Sequence, residues 1–321
     1  MYRNAPLRRL AAILICLALI LALASCDLLG KAPESTTTTT APTTTTAATT
    51  APVTEPPAPA NTRVLLISID GFRADAVMNS ARGRALAARA AYSTAVTTVM
   101  PSVTLPCHMS MFYSVPPTVH GVSTNTYTPS ETLGQGITEA LAEAGRSAAI
   151  FYNWYQIGDV TTPAAGALST YIGGETNGWE EANTMIGDAC ISHLTDDPAD
   201  FVFLYLGFLD EWGHRYGWLS AEYYDALDKS LALVERVIAS LPEDYTVIIT
   251  SDHGGHGNGH GSELAEDMTV PLFILGGGYA AGRDLGALSI LDVAPTVAAL
   301  LGVAAPSEWQ GAPIRNCQGF S

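Results

Sequence analysis

Asp210 and His214 stand four residues apart, so one helical turn would bring a carboxylate and an imidazole to the same face. Further along, Asp252 and His253 are adjacent. In a regular strand these two would point to opposite faces, so they could share an ion only where a strand ends, which the following Gly254-Gly255 permits. His256 and His260 lie in the glycine-rich stretch Gly254 to Gly261, whose pliable backbone could bring an imidazole to a metal. Mixed Asp and His donors suit zinc or a similar transition ion far better than calcium. By itself the His-Gly stretch reads also as a surface loop; together with Asp70, Asp210 and His214 it reads as part of a metal centre.

A candidate nucleophile, Thr104, stands in Pro101-Ser102-Val103-Thr104-Leu105-Pro106-Cys107-His108. Pro106 in a first turn suits a helix starting just after Thr104. The hydroxyl would then face free helix N–H groups, where a phosphate oxygen is favoured, and metal coordination would turn it into a usable alkoxide. Taken alone, Thr104 is an N-cap residue.

The elements that must position these groups are apolar strands. Arg63 to Asp70, Phe201 to Leu206 and Tyr245 to Thr250 are continuous apolar runs of the kind buried on both faces of a parallel sheet. Each leads to an aspartate: Asp70, Asp210 or Asp252. Between the last two runs Leu227, Leu231, Val234 and Ile238 keep helical spacing, from an N-cap at Ser220 to Pro242 after the end. Another helix runs from a cap at Asp292 through Leu301 to Gly302. Strands alternating with helices predict an α/β fold, a three-layer α/β/α sandwich on a mostly parallel central sheet. Ligands of open α/β sheets bind beyond the carboxyl ends of the strands, so the three aspartates can converge there.

Asp70-Gly71-Phe72-Arg73, Thr104-Leu105-Pro106-Cys107-His108, Asp210 to His214, Ser251-Asp252-His253-Gly254 and His260-Gly261 resemble, in order, the signatures of the alkaline phosphatase superfamily, in its nucleotide pyrophosphatase/phosphodiesterase-like branch. The resemblance covers about residues 62–315, including Leu291-Asp292-Val293-Ala294-Pro295-Thr296. It implies two zinc ions or similar divalent metals, one on Asp210, His214 and His260, the other on Asp70, Thr104, Asp252 and His253. It also implies a covalent phospho-threonine intermediate on Thr104, with the backbone N–H near Leu105 and the Asn125 amide binding negative charge that develops on the phosphoryl oxygens. His256 competes with His260 as a ligand, and the order of the motifs favours His260. A sulfatase would have Cys or Ser at position 104 and Arg at 108.

Three departures bear on the substrate. Family members commonly have Asn where Cys107 stands and an aromatic residue where Leu105 stands, and the nucleotide-cleaving members carry an insertion between Gly255 and His260. Leu105, Tyr155, Trp212 and Tyr216 are the candidates for lining a substrate pocket, with Trp218 beside them around His214. The expected substrate is a small phosphate ester, a phosphodiester or pyrophosphate. A phosphomonoesterase, a phosphoethanolamine-type transferase of the same superfamily and a non-catalytic surface binding lipoprotein are the alternatives.

The 321-residue chain carries 15 Lys and Arg against 31 Asp and Glu, and it has no basic cluster. Binding to a nucleic-acid backbone, which rests on neutralising phosphates with cations, is therefore not expected. Residues 1–26 have Arg3, Arg8 and Arg9, then an apolar run from Leu10 to Ala24, short of the roughly 20 residues that span a bilayer. The ending Leu23-Ala24-Ser25-Cys26 resembles a bacterial lipobox, which implies a signal peptide, a lipidated Cys26 and a membrane-anchored protein on the extracytoplasmic face. Residues 27–61, rich in Thr and Pro, read as a disordered tether, and residues 62–321 as the enzyme domain. Without the three signal arginines the net charge is −19. Of the remaining cysteines, Cys107, Cys190 and Cys317 permit at most one internal disulfide and read equally as buried thiols.

Overall fold

A computed structural model describes residues 63–128 and 133–316. The expected signal peptide, Cys26, the tether and Cys317 lie outside the described residues. No helix among the described residues is long and apolar enough to cross a membrane.

Among the described residues eight strands form one sheet: β1 (Arg63–Ile69), β2 (Ala91–Thr97), β3 (Ala148–Tyr152), β4 (Leu168–Tyr171), β5 (Phe201–Leu206), β6 (Tyr245–Thr250), β7 (Thr269–Leu275) and β8 (Ala287–Ser289). Their order is β4-β3-β5-β1-β6-β7-β2-β8. Neighbours pair in parallel except β7, which runs antiparallel to both β6 and β2. The three strands read from the sequence occupy the centre, β1 flanked by β5 and β6. Their burial on both faces accounts for the unbroken apolar runs.

Strand alternation divides the core into two. Val64, Leu66, Phe201, Phe203 and Ile248 face one side, with the helices Thr104–Tyr113, Ile137–Glu143 and Val293–Leu301. Leu65, Ile67, Val202, Leu204, Val247 and Ile249 face the other, with Ala81–Arg89, Trp179–Asp196 and Ala221–Ala239. The result is the three-layer α/β/α arrangement. Cys107 lies in the first core and Cys190 in the second, both as free buried thiols. In the Ala221–Ala239 helix the Ser220 hydroxyl accepts from the Tyr223 N–H at 3.1 Å, the N-cap that the sequence suggested. The last helix, Val293–Leu301, closes at Gly302 with φ 67°, a left-handed terminus that glycine adopts without strain.

Candidate metal centre

Asp70 is the first residue past β1, and its N–H donates to the Leu206 carbonyl at 3.1 Å, which ties the end of β1 to the end of β5. The chain then turns through Gly71 at φ 69°, where a Cβ would lie 2.9 Å from Asp210 Oδ1. Only glycine allows that approach, so Gly71 sets how closely Asp70 and Asp210 can meet. Asp210 and His214 belong to the helix Phe208–Tyr216 that follows β5, and Asp210 Oδ2 lies 3.4 Å from His214 Nε2, one turn on. β6 ends at Thr250, and beyond it the chain leaves strand geometry. His253 Nε2 therefore meets the neighbouring Asp252 carboxylate at 3.3 Å, which strand alternation would have prevented.

Thr104 opens the helix Thr104–Tyr113, whose N-cap residue is Val103. Its hydroxyl is not a cap. Thr104 Oγ1 instead lies 3.2 Å from His253 Nε2, and the same nitrogen is 3.3 Å from Asp70 Oδ1. Asp70, Asp252, His253 and Thr104 are all buried. The second group is more open: His260 Nε2 lies 3.1 Å from His214 Nε2 and 3.9 Å from Asp210 Oδ1, and the His214 side chain is 41% exposed. The two groups adjoin, because the His253 and His260 rings stack at 3.8 Å.

The donor atoms fit divalent metal ions. Asp70 Oδ1, Asp210 Oδ1 and Asp252 Oδ2 are buried without a hydrogen-bond partner, a costly state for a carboxylate oxygen unless a cation sits beside it. Ligand atoms of Asp210, His214 and His260, and of Asp70, Asp210 and His253, come close enough to one another to surround an ion. Electrostatics points the same way. Burial pushes the Asp252 carboxyl up to about 7, helped by the charge of Asp210. Burial, then the charges of Asp252 and Asp210, raise Asp70 well above the carboxylate range. Burial also opposes ionisation of Asp210, but its bond to His214 and the charges of His253 and His260 bring it below its usual value. The same bond lifts His214 to about 9. His260, buried beside His253, falls to about 4.

The remaining ring nitrogens are held by carbonyls, which accept only, so each ring presents Nε2 inward. His214 Nδ1 donates to Asn258 O at 3.0 Å, His260 Nδ1 to Ser102 O at 2.8 Å, and His253 Nδ1 to Gly254 O at 2.8 Å. His256 does not join them: its Nδ1 lies 2.7 Å from Asp267 Oδ1, a buried carboxylate whose other oxygen accepts from the Ser262 N–H and hydroxyl.

The substrate-pocket candidates fare unevenly. The Leu105 side chain is wholly in the core and cannot face a ligand. Its N–H donates to Asn125 Oδ1 at 2.9 Å, so that N–H is already occupied, and the bond leaves the Asn125 amide nitrogen as the other end of the side chain. Tyr155, 66% exposed, stands edge-on to Tyr171 past the end of β3. Trp212 and Tyr216 pack together at 5.8 Å on the Asp210 helix, with Arg215 over both rings.

The residues that support the candidate ligands from behind were hardly legible in the sequence. Trp218, nearly buried, packs on His214 and His260 and donates to the Gly71 carbonyl at 3.0 Å, so it is a prop for the site and not a pocket wall. Gly213 and Gly255 lie flush against its ring, where a Cβ would collide. His108 Nδ1 donates to the Thr104 carbonyl at 2.8 Å and its Nε2 accepts from the Ser68 hydroxyl at 2.9 Å. Burial holds the ring neutral, at about 3. The one available signal was that His108 lies four residues after Thr104.

Residues 64–266 match the model of the type I phosphodiesterase/nucleotide pyrophosphatase family. The chain belongs to this family. Among curated relatives, the phosphopentomutase of Acetivibrio thermocellus is 31% identical over 123 residues, 38% of this chain and 31% of that protein. The human ectonucleotide pyrophosphatase/phosphodiesterase family member 7 is 27% identical over 222 residues, 61% of this chain and 48% of that protein. These matches thus span about half or less of the relatives' own length. Among solved structures, an inactive variant of murine ectonucleotide pyrophosphatase/phosphodiesterase 5 in complex with AMP superposes with a TM-score of 0.65 at 15% identity, covering 78% of this chain and 97% of that one. At that identity the likeness speaks for the fold, which is that of the alkaline phosphatase superfamily.

Proposed function

We propose that this family member is a two-zinc hydrolase of phosphate esters, acting on phosphodiesters or pyrophosphates through a covalent phospho-threonine intermediate. The observation that carries the reading is Thr104: a buried hydroxyl at a helix N-terminus, 3.2 Å from His253 Nε2 and beside unpartnered carboxylate oxygens. Asp210, His214 and His260 would hold one ion, and Asp70, Asp252 and His253, with Thr104, the other. When bound, such ions lower the pKa of a coordinated hydroxyl and stabilise charge on the leaving oxygen.

Thr104 Oγ1 then attacks phosphorus in line with the leaving oxygen. The Thr104 O–P bond forms as the ester bond breaks, and water cleaves the phospho-threonine to restore the hydroxyl. The Asn125 amide nitrogen donates to a non-bridging oxygen, its own carbonyl oxygen being held by the Leu105 N–H. The first turn of the Thr104 helix adds a positive field at the same place. Among the described residues the three carboxylates are met by histidines, and the Arg73 side chain, the cation of the Asp70 loop, is turned to Asp75 and the Gly255 carbonyl. A singly charged diester needs less compensation there than a doubly charged monoester, which favours the diesterase reading over a phosphomonoesterase.

The N-terminal sequence supports a place for the enzyme: lipid-anchored through Cys26 at the extracytoplasmic face of the cell membrane, with residues 27–61 as its tether. The test is a panel of aryl phosphodiester, phosphomonoester, phosphonate ester and sulfate ester on the zinc-loaded protein, with Thr104→Ala as control. The diester should be cleaved fastest and the variant should be inert. Equal activity in the variant, or cleavage of the sulfate alone, would overturn the reading.

A further inference from the structure

Beneath the carboxylates lies another buried polar layer. β5 pairs with β1 so that Tyr205 is the partner of Ser68. Side chains alternate along a strand, so Ser68 and Asp70 share one face of the sheet, and Tyr205 is on that face as well. The Tyr205 ring is 2% exposed and stands edge-on to His108 at 5.3 Å. Its hydroxyl donates to Asp70 Oδ2. Asp70 Oδ1 has no hydrogen-bond partner and lies 3.3 Å from His253 Nε2. The two oxygens of one carboxylate are therefore chemically distinct: Oδ2 is committed to a phenol of the neighbouring strand, and Oδ1 is left to the centre.

We propose that Tyr205 is a positioning residue for the metal held by Asp70, a role that rests on the two-zinc reading above. With Oδ2 engaged, Asp70 favours coordination through Oδ1, and the bond holds its carboxylate plane in one orientation. Asp70 would then meet an ion through Oδ1, beside His253 and Thr104, and not through both oxygens. A hydrogen bond to the non-ligating oxygen of a metal-bound carboxylate commonly governs affinity in this way. Core packing explains the ring, but Phe would pack as well. The buried hydroxyl is what needs a function.

The experiment compares the full chain with Tyr205→Phe, which keeps the ring and removes only the hydroxyl. Zinc is titrated into the metal-free proteins, thermal unfolding of the metal-free proteins is followed, and the cobalt(II)-loaded forms are examined by visible absorption. The expected result is two zinc ions in the parent, with the affinity of one site weakened about 10–100-fold in the variant and the other unchanged. Unfolding of the metal-free variant should stay within a few degrees of the parent, while its cobalt spectrum changes as Asp70 adopts a two-oxygen grip. Asp70→Asn should weaken the same site, and adding Tyr205→Phe to it should weaken that site no further. Two zinc ions bound with parental affinity and an unchanged cobalt spectrum in Tyr205→Phe would overturn the role of Tyr205 and leave the two-zinc reading standing. A parent that binds no zinc would overturn both.

Discussion

The Leu105 N–H donates to the Asn125 side-chain oxygen at 2.9 Å, and this bond fixes which way the Asn125 amide points. With the oxygen held at the start of the Thr104 helix, the amide nitrogen is the end that, on the proposed mechanism, would meet a phosphoryl oxygen. Asn125→Asp keeps an acceptor for Leu105 but replaces the donor with a negative charge. Its turnover of an aryl phosphodiester should fall by about 10²–10³-fold, the cost of losing one donor to a developing charge. Thermal unfolding should change little. Steady-state kinetics beside a melting curve checks both, and Asn125→Ala should lose the turnover and some stability together.

Gly71 tests the spacing between the first two aspartates. A Cβ there would meet Asp210 Oδ1 at 2.9 Å and the Asp210 Cα at 3.0 Å, on a backbone at φ 69°. The left-handed conformation alone should cost Gly71→Ala about 1–2 kcal/mol of stability. Displacement of Asp210 should in addition reduce zinc at the Asp210, His214 and His260 group, as read by metal analysis of purified protein. A variant with parental zinc content would show that this contact does not set the spacing.

His256 and His260 separate by partner. His260→Ala should lose about one zinc and more activity than the 10–100-fold typical of losing a hydrogen bond to a ligand. His256→Ala removes a group bonded to Asp267, so it should retain both ions. Metal content by elemental analysis distinguishes them.

How these residues became legible differs from case to case. The three central strands could be read because burial on both faces makes them uniformly apolar, and the aspartates at their ends were visible as breaks in that pattern. Thr104, His214 and His260 followed from motif order, and the structure brings them together with Asp70, Asp210, Asp252 and His253. Position in a motif says nothing about side-chain direction, however. Leu105 stands next to Thr104 and still turns into the core, and Trp218 packs against His214 and His260 from behind. Tyr205 was hidden because in an apolar run it reads as one more core aromatic. Only the register of β5 against β1 aims its hydroxyl at Asp70. The antiparallel β7 and the edge strands β4 and β8 were not legible either, since pairing direction depends on the course of the whole chain.

His120 gives the metal-free protein an acid sensitivity away from the centre. Its Nδ1 accepts from the Val122 N–H at 3.1 Å, so Nε2 carries the proton and donates to the Ser110 hydroxyl at 3.0 Å. Burial lowers this imidazole from 6.5 to about 4. The unfolded chain therefore binds a proton there that the folded one refuses. The stabilising contribution is complete above about pH 6.5 and is lost as pH falls toward about 4, with a slope of up to about 1.4 kcal/mol per pH unit. His120→Gln should flatten the decline of unfolding free energy between those values. Denaturant titrations in the presence of a chelator measure it, and an identical slope in the variant would assign the sensitivity to other groups.

The central claim is that Thr104 becomes covalently bonded to phosphorus, and the most direct measurement is the stereochemical course at phosphorus. A diester made chiral with sulfur and oxygen isotopes is cleaved by the zinc-loaded protein, and the configuration of the product is determined. Attack by Thr104 followed by attack of water comprises two in-line displacements, so net retention is expected. Net inversion would mean that water attacks the ester directly, and would contradict the assignment of Thr104 as the nucleophile.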